Sequence, residues 1–161
     1  MTERRFVLLD FEHLGLIEPD RDRSGALIEL FPQARYKAAD SASLHAYGAG
    51  PFCRFRMGRG RNQPGLYVVT LDGDPVYAGE CVDLAKRWGL GGYGGISPRN
   101  CFIGGQSTNC RLNAAILKEA KAGRKIDLWF NVFDGSRDNR LGSETVLIQR
   151  LQPVWNRAKL S

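Results

Sequence analysis

The sequence predicts an α+β fold, a small antiparallel sheet of about three strands flanked by helices. Three observations predict it. Two short apolar runs, Gly65–Leu71 and Pro75–Gly79, flank Asp72-Gly73-Asp74, which reads as a hairpin. Lys125–Phe133 alternates, with Ile126, Leu128, Phe130 and Val132 on one side, which reads as a third strand. Leu112–Ala122 and Ser143–Leu151 space their apolar residues at helical intervals. The order is strand, strand, helix, helix, strand, helix. Its antiparallel first pair excludes a doubly wound parallel sheet.

Taken along the chain, Arg4–Leu9 is a short strand and Pro19–Gly25 a charged loop. Cys53-Arg54-Phe55-Arg56-Met57 alternates like a half-buried strand. Arg54, Arg56, Arg59 and Arg61 crowd into "RFRMGRGR" just before Asn62-Gln63-Pro64. A boundary there divides an accessory segment, 1–62, packed on the core, from a main domain, 63–161. In the hairpin, a three-residue Asp72-Gly73-Asp74 loop pairs Leu71 with Pro75 and Val69 with Tyr77. Tyr67 and Tyr77 then share a face, whereas a two-residue loop would place them on opposite faces. Asp83 caps a short helix through Leu84, Ala85 and Trp88. The helix from Leu112 stops at Gly123, and the last helix is ended by Pro153.

The chain has 161 residues, enough for one domain with a core. A net charge of +6 and a pI near 9.4 lean toward a polyanionic partner without requiring one. Cys53, Cys81, Cys101 and Cys110 lack zinc-knuckle spacing, and His13 and His45 lie far upstream. Zinc is therefore not expected, nor are disulfides. The start, "MTERRFVLLDFEH", has too short an apolar run for a signal peptide or membrane span, so a soluble cytoplasmic protein is expected.

Several residues carry candidate chemistry. Leu84–Lys118 contains no acidic residue but holds Lys86, Arg87, Arg99, Arg111 and Lys118 among seven glycines. Basic side chains, exposed backbone donors and no competing carboxylate suit a phosphate-rich surface; a flexible loop that merely lacks acids is the plainer reading. Glu144 shares a helical stripe with Leu147, Ile148 and Leu151, so its carboxylate stands at the edge of the core and needs a cation or donor. An acid in a helix's first turn is the plainer reading there. Asn156 follows Pro153-Val154-Trp155, where asparagine is often a turn residue.

With these residues assembled, the chain resembles the GIY-YIG nuclease family. Gly65-Leu66-Tyr67 stands where the family has Gly-Ile-Tyr, and Tyr77-Ala78-Gly79 where it has Tyr-Ile-Gly. Arg87 falls at the family's arginine and Glu144 at its metal-binding glutamate. "ETVLIQRLQPVWN" runs from that glutamate to the closing Pro-x-x-Asn. The resemblance covers about Gly65 to Asn156. It departs at Gly91, where many members carry His or Tyr; Tyr93 is the nearest phenol, and His45 is a second candidate. "ISPRNCFIGGQSTNCRLN" and "LHAYGAGPFCRF" resemble segments of a restriction-enzyme-like branch.

The resemblance implies a GIY-YIG-like core with an N-terminal extension and one Mg²⁺ (or Mn²⁺) held by Glu144. The implied activity is a metal-dependent endonuclease, sequence-specific on duplex DNA. Tyr67, Tyr77, Arg87, Tyr93, Glu144 and Asn156 would form the catalytic set. Lys86, Arg99, Arg111, Asn113, Arg54 and Arg56 would touch DNA. The glycines beside the tyrosines would let a DNA backbone approach. One site cuts one strand, so a double-strand break implies a homodimer. The alternatives are a repair or structure-specific nuclease and a DNA-binding module whose cleavage site has decayed.

Overall fold

A computed structural model describes residues 2–36, 41–57 and 61–156; Arg59 lies outside them. The chain forms two compact units. The first comprises Met1–Ile17, Met57–Ala85 and Arg124–Ser161, and the second Glu18–Arg56 and Lys86–Gly123.

The first unit is built on five antiparallel strands: β1 (Glu3–Phe6), β2 (Leu9–Leu16), β3 (Gly65–Leu71), β4 (Asp74–Cys81) and β5 (Ile126–Val132). They lie in the order β1-β2-β5-β3-β4. This corrects the three-stranded sheet expected from sequence. The run Arg4–Leu9 is not one strand. It breaks at Val7, whose φ of 61° turns the chain so that Phe6 pairs with Leu9. β2 then lies along β5, with His13 opposite Trp129, and a bulge at Gly15 (φ 131°) re-registers it onto Leu128. β2 reads LDFEHLGL, poor strand-forming material by composition. Its pairing with β5 and the burial of Phe6 and Phe11 against one another and Trp129 hold it.

The β3–β4 hairpin also corrects the reading of its turn. Leu71 pairs with Asp74, so the loop is the two residues Asp72-Gly73. Their φ angles, 49° and 91°, are both positive, as a type I′ turn requires. Tyr67 and Tyr77 nevertheless share a face. The register slips by one between Val69 and Thr70, leaving Val76 as the extra residue, and Val69 pairs with Tyr77. The bulge restores the alternation that the shorter loop would have inverted.

The outer edge of β4 is closed by the C-terminal segment. Asn156 Nδ2 donates to Ala78 O at 2.7 Å, and its Oδ1 accepts from Ala78 N at 2.8 Å. Trp155 N donates to Val76 O at 2.8 Å. Three helices follow the hairpin in the chain: α1 (Leu84–Trp88), α2 (Ser107–Lys121) and α3 (Arg137–Leu151). α3 begins six residues before the expected start, because Ser136 caps it by accepting from Asn139 N at 3.1 Å. Leu147 and Ile148 of α3 pack with Leu66, Val68 and Ala78, on one face of the β3–β4 hairpin.

In the second unit the expected strand Cys53–Met57 does not form. Just before it, Phe52 makes an isolated bridge with Leu30, one of three such bridges among the described residues. The predicted alternation of burial holds, with Cys53 and Phe55 inside and Arg54 and Arg56 outside. Backbone groups there bond to loops and one side chain instead of a ladder: Phe55 N to Gly94 O, Asp20 N to Arg54 O, and Cys53 N to Asn113 Oδ1. α2 starts at Ser107, earlier than expected, and buries Leu112, Ile116 and Leu117. Phe52, Cys101, Phe102 and Cys110 form a separate cluster. All four cysteines are buried free thiols, and burial pushes Cys53 and Cys110 up to about 12. Among the described residues no helix is long and apolar enough to cross a membrane.

Candidate active site

The bulged register of β3–β4 sets the first part of the site. Tyr67 and Tyr77 lie with ring centroids 6.0 Å apart and planes inclined by 35°. Both are buried, Tyr67 at 1% exposure and Tyr77 at 8%. Of the glycines beside them, Gly79 makes room for the Tyr67 ring. A Cβ on Gly79 would lie 2.4 Å from the Tyr67 hydroxyl oxygen, so the phenol crosses directly over that glycine. A Cβ on Gly65 would meet Asn131 O at 2.2 Å and the Phe130 ring at 2.5 Å. This corrects the expectation that these glycines admit a DNA backbone, because aromatic side chains already fill the space.

Glu144 belongs to α3, whose apolar stripe packs on Leu66 and Val68, the residues alternating with Tyr67 along β3. The glutamate's helix and the tyrosine rings therefore belong to opposite faces of the hairpin. Glu144 is 7% exposed. One turn earlier on the same helix face, Arg140, 5% exposed, donates Nε to Glu80 Oε2 of β4 at 2.7 Å. Sequence reading missed Glu80 and Arg140. The available signals were the position of Glu80 directly after Tyr77-Ala78-Gly79 and the i, i+4 spacing of Arg140 and Glu144. Asn156 acts on the backbone of Ala78, beside Tyr77, and so holds the strand that carries the second tyrosine.

Among the described residues no three of His, Cys, Asp and Glu gather into a metal cage. The donor set fits a hard cation of the Mg²⁺ type all the same. Such an ion keeps several waters and needs only one or two carboxylates plus substrate oxygens. Glu144, nearly buried on α3, offers one such carboxylate.

In the second unit, Arg87 lies with its guanidinium carbon 5.9 Å from the Tyr93 ring centroid. Tyr93 is buried and packs edge-on against Trp88 at 4.8 Å. Its backbone N donates to Arg87 O. His45 has both ring nitrogens engaged locally. Nε2 donates to Asn100 O, and Nδ1 accepts from Tyr47 N at 3.1 Å.

The expected DNA-contacting residues divide. Lys86, Arg99, Arg54 and Arg56 are exposed, and Arg111 is half-buried. Asn113 is wholly buried, which corrects its place on a DNA surface. Its Oδ1 accepts from Cys53 N, and its Nδ2 donates to Cys53 O and Tyr93 O at 2.9 and 2.8 Å. Sequence reading also missed two pairings. Asp20 holds both Arg54 (3.0 Å) and Arg56 (3.5 Å). His13 Nε2 meets the buried Asp127 at 2.7 Å. No family model, curated protein or solved structure matches this chain.

Proposed function

We propose that this chain is a divalent-metal-dependent DNA endonuclease of the GIY-YIG type, acting on a specific sequence in duplex DNA. The observation that carries the reading is the bulge at Val76, which keeps Tyr67 and Tyr77 on one face although the turn alone would separate them. Bulges re-aim side chains beside active sites. β4 is the outermost strand of its sheet. Its outer edge carries the C-terminal segment at Val76 and Ala78, and α3 lies on the face of the hairpin opposite the tyrosines.

Hydrolysis of a phosphodiester needs an activated water, neutralised charge on the phosphoryl oxygens and a stabilised leaving oxygen. Tyr67 holds the attacking water and takes its proton, and Tyr77 orients it. An ordinary phenol has a pKa of about 10, so neighbouring positive charge is needed to make Tyr67 a base near neutrality. The resemblance assigns the non-bridging oxygens to Arg87, which within the second unit lies beside the Tyr93 ring. Glu144 would hold the single Mg²⁺ or Mn²⁺, which supplies positive charge for the leaving 3′ oxygen when bound.

A second reading is a DNA-binding module that no longer cuts. The burial of Tyr67 over Gly79 favours it, since a ring packed there needs no catalytic role. Incubation of plasmid with the wild-type chain and with Glu144→Ala, in Mg²⁺ and in EDTA, separates the two. Discrete fragments from the wild type in Mg²⁺ alone, with DNA bound but uncut by the variant, are expected. Plasmid left intact by the wild type in Mg²⁺ and in Mn²⁺ would remove the nuclease reading.

A further inference from the structure

Within the second unit, Arg54 and residues of the segment 90–106 line an open cavity of about 410 Å³. Three polar side chains on its wall, Arg54, Asn100 and Gln106, have part of their hydrogen-bonding capacity already engaged. Arg54 Nε donates to Asp20 Oδ2 at 3.0 Å. Asn100 Oδ1 accepts from Ser97 N at 3.1 Å, and Gln106 Oε1 accepts from Asn109 Nδ2 at 2.7 Å. Each still has donors to offer: the outer N–H groups of one guanidinium and two amide NH₂ groups. From Leu84 to Lys118 the sequence supplies no carboxylate to compete for them. Asp20, the carboxylate beside Arg54, is taken up by Arg54 and Arg56.

We infer that this cavity is a subsite for hydrogen-bond acceptors of duplex DNA, with Arg54 as its fixed fork; the inference rests on the DNA reading above. Asp20 holds the guanidinium at Nε, which leaves the outer edge free to meet two acceptors side by side. The backbone on either side of Arg54 is pinned as well, by Asn113 at Cys53 and by Gly94 at Phe55. Two acceptors side by side occur at O6 and N7 of guanine and at the oxygens of a phosphate. Adenine presents one acceptor and one donor there, so it matches the guanidinium edge at one position only.

The test is binding of a randomised duplex library in EDTA by the full-length wild type, Arg54→Ala and Gln106→Glu, with the bound DNA sequenced. Binding to one duplex is also followed against salt. Both side chains are exposed, and melting curves are the check that each variant folds. If guanine is the acceptor, Arg54→Ala lowers discrimination at one base position by about tenfold. If phosphate is, binding weakens for every sequence, and the slope of log K against log salt falls by about one. Gln106→Glu, which replaces a donor with a carboxylate, weakens binding in both cases. Wild-type affinity and selectivity in both variants would overturn the subsite while leaving the DNA reading in place. A wild type that binds no duplex would overturn both.

Discussion

Gly79→Ala tests whether the Tyr67 ring, and not a ligand, explains the glycine beside the second tyrosine. The added Cβ would sit 2.4 Å from the Tyr67 hydroxyl oxygen, 2.5 Å from Cζ and 2.9 Å from Cε1. All three atoms belong to one rigid, buried ring, so no flexible end can move aside. Overpacking of this kind costs about 1–3 kcal/mol. Taking about 2 kcal/mol, a domain of this size loses roughly 4–8 °C in Tm. Gly91→Ala is the matched control, since its Cβ would meet nothing within 4 Å and its φ is ordinary. It should stay within about 0.5 kcal/mol of wild type. Urea denaturation and thermal melts of both variants measure the difference. A Gly79→Ala protein as stable as Gly91→Ala would refute the account of why glycine stands there.

Asn156→Ala removes both bonds to the Ala78 backbone and should cost about 2–3 kcal/mol by leaving buried polar groups unsatisfied. Hydrogen exchange at Ala78 should rise more than exchange at Val68 on the inner strand. Tyr67→Phe keeps the ring over Gly79 and removes only the hydroxyl, so stability should hold while cleavage falls at least about a hundredfold; single-turnover cleavage rates measure it. The thiols of Cys53 and Cys110 titrate higher in the folded chain than the ordinary value of 9.0. The unfolded chain therefore binds fewer protons between pH 9 and 12, and stability is intact below pH 9 and falls as pH rises through that window. Urea midpoints at pH 8, 10 and 11 should decline, and Cys110→Ala should flatten the decline.

The segments that carry their own periodicity were legible in sequence. β3, β4, β5 and the cores of α2 and α3 were read from alternation and helical spacing. What escaped depends on partners distant in the chain. β2 has little strand character of its own and is held by β5 across more than a hundred residues. The extended run at Cys53–Met57 has the right burial, but it finds an asparagine side chain and loops where a neighbouring strand was expected. In the hairpin, one misread turn residue and one unforeseen bulge offset each other, so the shared face of the tyrosines was anticipated although the loop was not. Asn113 looked like a surface amide because helical periodicity does not separate a polar contact with solvent from one with buried backbone. The start of α3 was readable, since Ser136 with Asp138 in the first turn is a capping signal.

The strand order β1-β2-β5-β3-β4 has a consequence for synthesis. The strand made last occupies the middle. Until residues 126–132 leave the ribosome, two separate hairpins wait, each with an open flank of backbone N–H and C=O groups that only β5 will cover. A nascent chain stalled before that point would carry two sticky borders at once, the circumstance in which chaperone capture or intermolecular pairing competes with completion of the sheet.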